Sequence, residues 1–197
     1  MVEFRLDEYK SAVKHFDYLL SKGDSTALKF AGSCNFFLGE FNKSIPLLRA
    51  ALKRDSTDTE TLFYLGSSLS HNGEPEEAIE IFGQILKMIQ PDSSLVYKLH
   101  NQLGMAYSDM NKLQESYENF SIAYKLNPSD SKLLFQMAMV RGGFKDKASL
   151  QEAKSLLERY IESLMPKGTL LTAEEIVLRE RAKMYIERIK EELFMNE

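Results

Sequence analysis

Three histidines, one cysteine and many carboxylates are the residues of this 197-residue chain that could do chemistry. His15, His71 and His100 could bind a transition metal or carry a proton. None has a second histidine three or four residues away, the spacing that brings two imidazoles onto one helix face. Cys34 could attack an electrophile, but its place in the apolar pattern puts it on an inward helix face, where a small thiol packs rather than reacts. The carboxylates stand in adjacent pairs such as Glu76-Glu77 and Glu191-Glu192, the pattern of a solvated surface. No nucleophile elbow, P-loop or H-E-x-x-H motif occurs. The expectation is a non-enzymatic chain with no catalytic residues, no cofactor and no metal.

What remains is recognition by surface, and composition narrows the partner. The net charge is −4 and Lys and Arg are not clustered, so the counterion release that drives nucleic-acid binding has no footprint. No apolar run approaches the ~20 residues of a membrane helix, so membrane insertion is not expected. The start, Met1-Val2-Glu3-Phe4-Arg5-Leu6-Asp7, is charged and amphipathic, unlike a signal peptide. With Cys34 alone no intrachain disulfide can form, which suits a reducing compartment such as the cytoplasm; periplasmic helical proteins can lack disulfides too.

The elements that position such a surface show themselves as a period. Small residues Ala12, Ser44, Ala78, Ser116 and Ala153 stand 32, 34, 38 and 37 residues apart. A turn precedes them in the same way in Gly39-Glu40-Phe41, Gly73-Glu74-Pro75 and Asn111-Lys112-Leu113. Periods of this size mark stacked repeats. Apolar residues recur at helical steps, as in Leu62, Leu65, Gly66 and Leu69, and no segment alternates with period two. Gly and Asn at the breaks tolerate the left-handed conformation that ends helices. Pro75 sits just inside a helix start, where its missing N–H costs nothing. The spacing predicts helix pairs over 25–38 and 41–54, 59–72 and 75–90, 93–110 and 113–126, and 130–143 and 147–164.

These pairs resemble the tetratricopeptide repeat (TPR) family. The first-helix Leu-Gly pair appears as Leu65-Gly66 and Leu103-Gly104, and as Ala31-Gly32 and Met137-Ala138 in weaker form. The aromatic that follows is Tyr107 in one repeat, replaced by Asn35 and Leu69 in two others. The second-helix small residue and aromatic appear as Ala12 and Phe16, Ala78 and Phe82, and Ser116 and Phe120; Ala51 and Ala123 are the second small residue. Pro128 is the closing proline, and Pro91 lies close to the same place. The resemblance implies an all-α, right-handed α-solenoid of TPR helix–turn–helix units with a C-terminal capping helix. The glycines let paired helices approach, and Phe16, Leu48, Phe82 and Phe120 are expected to fill the space between repeats.

The expected organisation is a partial N-terminal repeat over 1–24, mainly a second helix, then four TPR-like helix pairs over 25–166, then a capping helix over 167–197. Six residues ahead of Asp7 are too few for a first helix, which favours a chain cut from a longer protein over a short stub. Residues 88–97 lengthen the spacing by four, about one extra helical turn, and Gly142-Gly143 signals a helix end or kink. Thr172-Ala173-Glu174-Glu175 reads as a capping box ahead of a stripe of Leu178, Ala182, Tyr185, Ile186, Ile189 and Leu193. That stripe suits a cap packed on the last repeat; a docking or dimerisation helix is the other reading.

In a TPR array the first helices line the concave face. By that register the partner-binding groove comprises Lys29, Phe30, Ser33 and Phe37; Phe63, Tyr64 and Ser67, with His71; Lys98, Asn101, Gln102 and Met105; and Lys132, Phe135 and Gln136, with Met139. Aromatics anchor interfaces and amides can bond an extended peptide. The alternative is that Phe30, Phe63 and Phe135 only wedge between helices. A chaperone-tail carboxylate clamp is not expected: Lys29 and Lys98 match its lysines, but Ser33, Tyr64 and Gln102 replace its other members. The implied role is a non-catalytic scaffold holding a protein or peptide partner. The rivals are an accessory interaction segment of a larger enzyme or sensor, and a self-associating unit joined through its open N-terminal end.

Overall fold

A computed structural model describes residues 2–88, 93–164 and 171–195, with the backbone alone at 2–7 and 93. The described residues form ten α-helices and no strand: α1 (Val2–Ser21), α2 (Ala27–Phe37), α3 (Phe41–Leu52), α4 (Thr59–His71), α5 (Pro75–Met88), α6 (Ser93–Asp109), α7 (Leu113–Leu126), α8 (Lys132–Gly143), α9 (Lys147–Ser163) and α10 (Ala173–Met195). They fall into two compact units, residues 1–91 with α1 to α5 and residues 92–197 with α6 to α10. The division lies within the lengthened segment 88–97. Residues 89–92, including Pro91, lie outside the described residues. Of the extra turn, the part described is α6 itself, 17 residues against 13 in α4.

Each helix pair turns on one left-handed residue. Gly39, Gly73, Asn111 and Lys145 have φ of 75°, 84°, 56° and 66°. A chain that must reverse direction within three residues needs such a backbone, and glycine adopts it at least cost. The carbonyls left at the helix ends are taken up there: Glu40 N–H donates to the Asn35 carbonyl, Glu74 N–H to Leu69 and Lys112 N–H to Tyr107, each at 2.9 Å. The Gly142-Gly143 pair ends α8 rather than kinking it.

Inside a pair the packing is a knob against a gap. A Cβ on Gly32 would lie 2.6 Å from Leu48 Cδ2, one on Gly66 2.7 Å from Phe82 Cε1, and one on Gly104 2.6 Å from Phe120 Cδ1. Leu48, Phe82 and Phe120 therefore each fill the gap over their own pair's glycine, which the sequence pattern did not suggest; Phe120 also packs toward the next pair, in a core with Leu133, Leu134 and Met137 of α8. Ser44 and Ser116, whose smallness is what the pattern shows, add hydrogen bonds. Ser44 Oγ donates to the Gly32 carbonyl at 2.9 Å and Ser116 Oγ to the Gly104 carbonyl at 2.8 Å. Such bonds satisfy hydroxyls that are fully buried. Phe16 of α1, at the position of Leu48 and Phe82, is only half-buried; among the described residues the substantial packing of α1 is on α2.

In the second unit α10 closes on α9. Ala182, Ile186 and Ile189 are buried in a core shared with Leu156, Leu157 and Tyr160, with Leu178 and Leu193 at its margin. Tyr185 does not join that stripe as expected and is exposed, because α9 covers only one narrow face of α10. The capping box forms in both directions: Glu175 N–H donates to Thr172 Oγ1 at 3.2 Å, and Thr172 N–H donates to Glu175 Oε2 at 2.7 Å.

Candidate functional site

One register position organises the candidate surface. Two residues before Gly32, Gly66, Gly104 and Ala138 stand Phe30, Tyr64, Gln102 and Gln136. The position is aromatic in the first unit and a carboxamide in the second.

In the first unit the aromatics form a linked set. Phe37 stacks on Tyr9 of α1 with centroids 4.8 Å apart, and meets Tyr64 edge-on at 5.5 Å. Tyr64 also lies 5.3 Å from Phe36 and 5.9 Å from Phe63. Phe30 stacks on Phe16 at 5.7 Å. Phe30 and Phe37 nevertheless stay 54% and 42% exposed, an arrangement that keeps large apolar faces fixed and open. Phe63 leans on Phe82 at 6.1 Å and serves partly as a wedge. Tyr9 and Phe36 were absent from the expected set; Tyr9 lies in α1, the helix assigned only to the partial repeat.

The polar members of that unit are engaged or hidden. Lys29 Nζ lies 2.8 Å from Asp58 Oδ2 and 2.7 Å from Glu60 Oε2. Burial would lower the Lys29 pKa, but hydrogen bonds to the two carboxylates outweigh it and hold the ammonium above its ordinary value. Burial would raise that of Asp58, but hydrogen bonds from Lys29 and Thr61 hold it below the carboxylate range. Ser33 Oγ donates back to the Lys29 carbonyl at 2.9 Å. Ser67 is fully buried, so it does not line an open surface.

In the second unit, Asn101 Oδ1, Gln102 Oε1 and Gln136 Oε1 are buried acceptors without a hydrogen-bond partner. With Ser67 Oγ they make four of the six such atoms among the described residues, so the orphans concentrate on the expected set. Unpaired buried acceptors cost about 1–3 kcal/mol each, and ordinary cores avoid them. Phe135, half-buried and edge-on to Tyr160 at 5.6 Å, shares a recess of about 160 Å³ with Gln136, Met105 and Met139. Lys98 is exposed, while Lys132 pairs with Glu174 at 2.8 Å. Beside this recess a cavity of about 680 Å³ is lined by Phe135 and Met139 of α8 and by Arg181, Met184, Tyr185 and Arg188 of α10. Of these α10 residues only Tyr185 was expected to matter, as part of a stripe suited to a cap or to a docking or dimerisation helix; Arg181, Met184 and Arg188 were not.

His100 Nδ1 lies 2.8 Å from Asn119 Oδ1. His15 and His71 are exposed, and His71 stacks on Phe41 at 4.8 Å. Cys34 is half-buried, and burial pushes its thiol pKa up, away from the reactive thiolate. Among the described residues no cluster of three or more His, Cys, Asp or Glu could hold a metal, and no helix is long and apolar enough to cross a membrane.

Residues 38–103 match a family model described as tetratricopeptide repeat, and residues 97–130 match a second model of the same description. Comparison with curated proteins finds no match. Among solved structures, PilW, a type IV pilus biogenesis factor, superposes with a TM-score of 0.73 at 15% identity, covering 98% of this chain and 84% of that one. YrrB, described as a TPR protein with an unusual peptide-binding site, gives 0.66 at 16%, covering 91% and 86%. MamA gives 0.59 at 21%, covering 85% and 91%. At these identities the likeness is one of fold.

Proposed function

This chain belongs to the tetratricopeptide-repeat family, as an all-α repeat solenoid, and on that footing we propose that it is a non-catalytic scaffold that holds a peptide or partner helix on the faces of its first helices. The observation that carries the reading is the pair of orphan carboxamides, Gln102 and Gln136, one repeat apart at the same register on α6 and α8. An extended peptide offers a backbone N–H toward one side at every second residue, which is what two such acceptors lack. Met105, Phe135 and Met139, which share a recess with Gln136, form an adaptable apolar seat. In the first unit Phe30, Phe37 and Tyr64 supply fixed aromatic faces for apolar side chains. Lys29 and Lys132, already paired, contribute position rather than free charge. The peptide-binding site named for YrrB supports the same class of ligand for this fold.

The test uses a displayed library of random peptides panned on the full chain. Peptides selected on the wild type should bind Gln102→Leu/Gln136→Leu about tenfold more weakly or worse, since each lost acceptor removes roughly one hydrogen bond. Circular dichroism should show the variant folded. Selected peptides that bind the variant with unchanged affinity would remove these faces from the proposal.

A further inference from the structure

The outer side of α10 carries a second stripe that the packing on α9 leaves uncovered. Met184, Arg188, Glu191 and Met195 follow one another at steps of four, three and four, which keeps them on one face of the helix. That face lies away from buried Ala182, Ile186 and Ile189. Met184 and Met195 are 72% and 76% exposed, unusual for residues whose only polar atom is a thioether. Glu191 makes no ion pair among the described residues, and Arg188 bonds only Glu192, its neighbour on the same helix, at 3.0 Å.

The order Met, Arg, Glu, Met with equal outer steps has a property that a random surface stripe lacks. Laid antiparallel on itself, it puts Met184 on Met195, Arg188 on Glu191, and the same pairs again in reverse. Laid parallel, it sets Arg188 on Arg188 and Glu191 on Glu191. Charge therefore selects one orientation and one register, as it does between paired helices elsewhere. We infer that α10 is a docking surface for a second copy of this chain, the two helices pairing antiparallel through Met184, Arg188, Glu191 and Met195. One patch serves both copies, so the pairing closes at two and does not run on into fibres. Met184 and Arg188 also line the cavity of about 680 Å³ against α8, so Met195 of the second copy comes to rest at its mouth. A flexible thioether is well suited to such an irregular seat.

The stripe is short, roughly 16 Å along the helix axis. It is smaller than the standard 1,200–2,000 Å² interface of a tight complex, so the dimer is weak and concentration-dependent. This stripe borders the peptide seat at that cavity, where Phe135 and Met139 form the α8 wall, but Gln102 and Gln136 are not among its lining residues, so either assignment can fail without the other.

Sedimentation velocity of the full chain from about 10 μM to about 1 mM, the range such an interface calls for, should show the mass rising toward that of a dimer. Arg188→Glu and Glu191→Arg each turn both ion pairs into repulsions and should weaken self-association about tenfold. An equimolar mixture of the two variants should associate, because each Glu then faces an Arg, and the double variant R188E/E191R should recover dimerisation. All four positions are exposed on α10, so thermal stability should stay close to the wild-type value, R188E losing no more than the exposed Arg188–Glu192 pair, and exclude misfolding. A chain that stays monomeric at about 1 mM, a dimer that neither single variant weakens, or a mixture that fails to associate would each overturn the inference.

Discussion

Gly66 and Phe82 are locked together: a Cβ on the glycine would stand 2.7 Å from Cε1 of a phenylalanine ring that is itself fully buried. Gly83, the next residue after that ring, has nothing within 4 Å of where its Cβ would lie. Both glycines sit inside helices, so intrinsic propensity favours alanine at either by about 1 kcal/mol. The difference between them is packing alone. Gly66→Ala should destabilise by about 1–3 kcal/mol, with Gly66→Leu worse, while Gly83→Ala should stabilise by up to about 1 kcal/mol. Urea denaturation of the three variants checks this; a Gly66→Ala protein as stable as wild type would mean that the α4–α5 pair can open without cost.

The left-handed turns offer a second, independent test. Gly73 has φ of 84° and open space around it, so Gly73→Ala strains the backbone and touches nothing. A loss of about 1 kcal/mol is expected. Lys145 holds φ of 66° at the equivalent turn without glycine's freedom, and its nearest ion-pair partner, Glu192, is 4.0 Å away and worth little. Lys145→Gly should raise stability by about 0.5–1 kcal/mol, read as an increase in Tm.

The orphan carboxamides predict a trade between stability and binding. Gln102→Leu and Gln136→Leu each replace an unpaired buried acceptor with an apolar group of similar size. Each should raise folding stability, by about 1 kcal/mol, while lowering affinity for any selected peptide. If both variants are destabilised instead, those oxygens are already satisfied in the free protein and the recess has no unmet demand for a donor.

The Lys29 cluster sets two edges of pH dependence. Asp58 is held below its ordinary pKa, so its contribution is complete above the unfolded value near 4 and is lost as pH falls through the lower folded value. Lys29 is held above its ordinary value, so its contribution is complete below about pH 10.4 and is lost as pH rises through the higher folded value. The stability gap between wild type and Lys29→Met should be flat between about pH 5 and pH 9 and should narrow on both sides. Its height should be within about 1 kcal/mol, since the groups are partly solvated. Tm measured across the range for both proteins decides it; a gap that tilts steadily through neutrality would point to another titrating group.

The helices were legible because their ends carry distinctive chemistry. Gly39, Gly73 and Asn111 announce turns, and α3, α7 and α8 begin or end within two residues of the positions the spacing implies. The constant step of 16 from Gly32 to Leu48, Gly66 to Phe82 and Gly104 to Phe120 was present in the sequence as well. What it meant was not: pattern shows size, whereas only the packing of the folded helices shows that each large residue faces its own glycine. The hydroxyls of Ser44 and Ser116 were hidden for the same reason, being read as small when they also donate. Tyr185 fits a helical stripe by spacing, yet the stripe that α9 covers is narrower than the one a helical period allows. The stacking of Tyr9 on Phe37 and the cavity against α10 depend on where separate helices come to lie, which no local rule reports. Orphaned acceptors such as Gln136 Oε1 are likewise defined by what fails to approach them.

Substantial packing between described helices joins neighbours in the chain, α2 with α4 being the exception. Little chain entropy is then spent on closing long loops before a contact forms, and assembly can start at any pair and spread outward. Such a topology should refold fast, on the microsecond-to-millisecond scale of low-contact-order proteins, and should yield under load one helical hairpin at a time rather than in a single event.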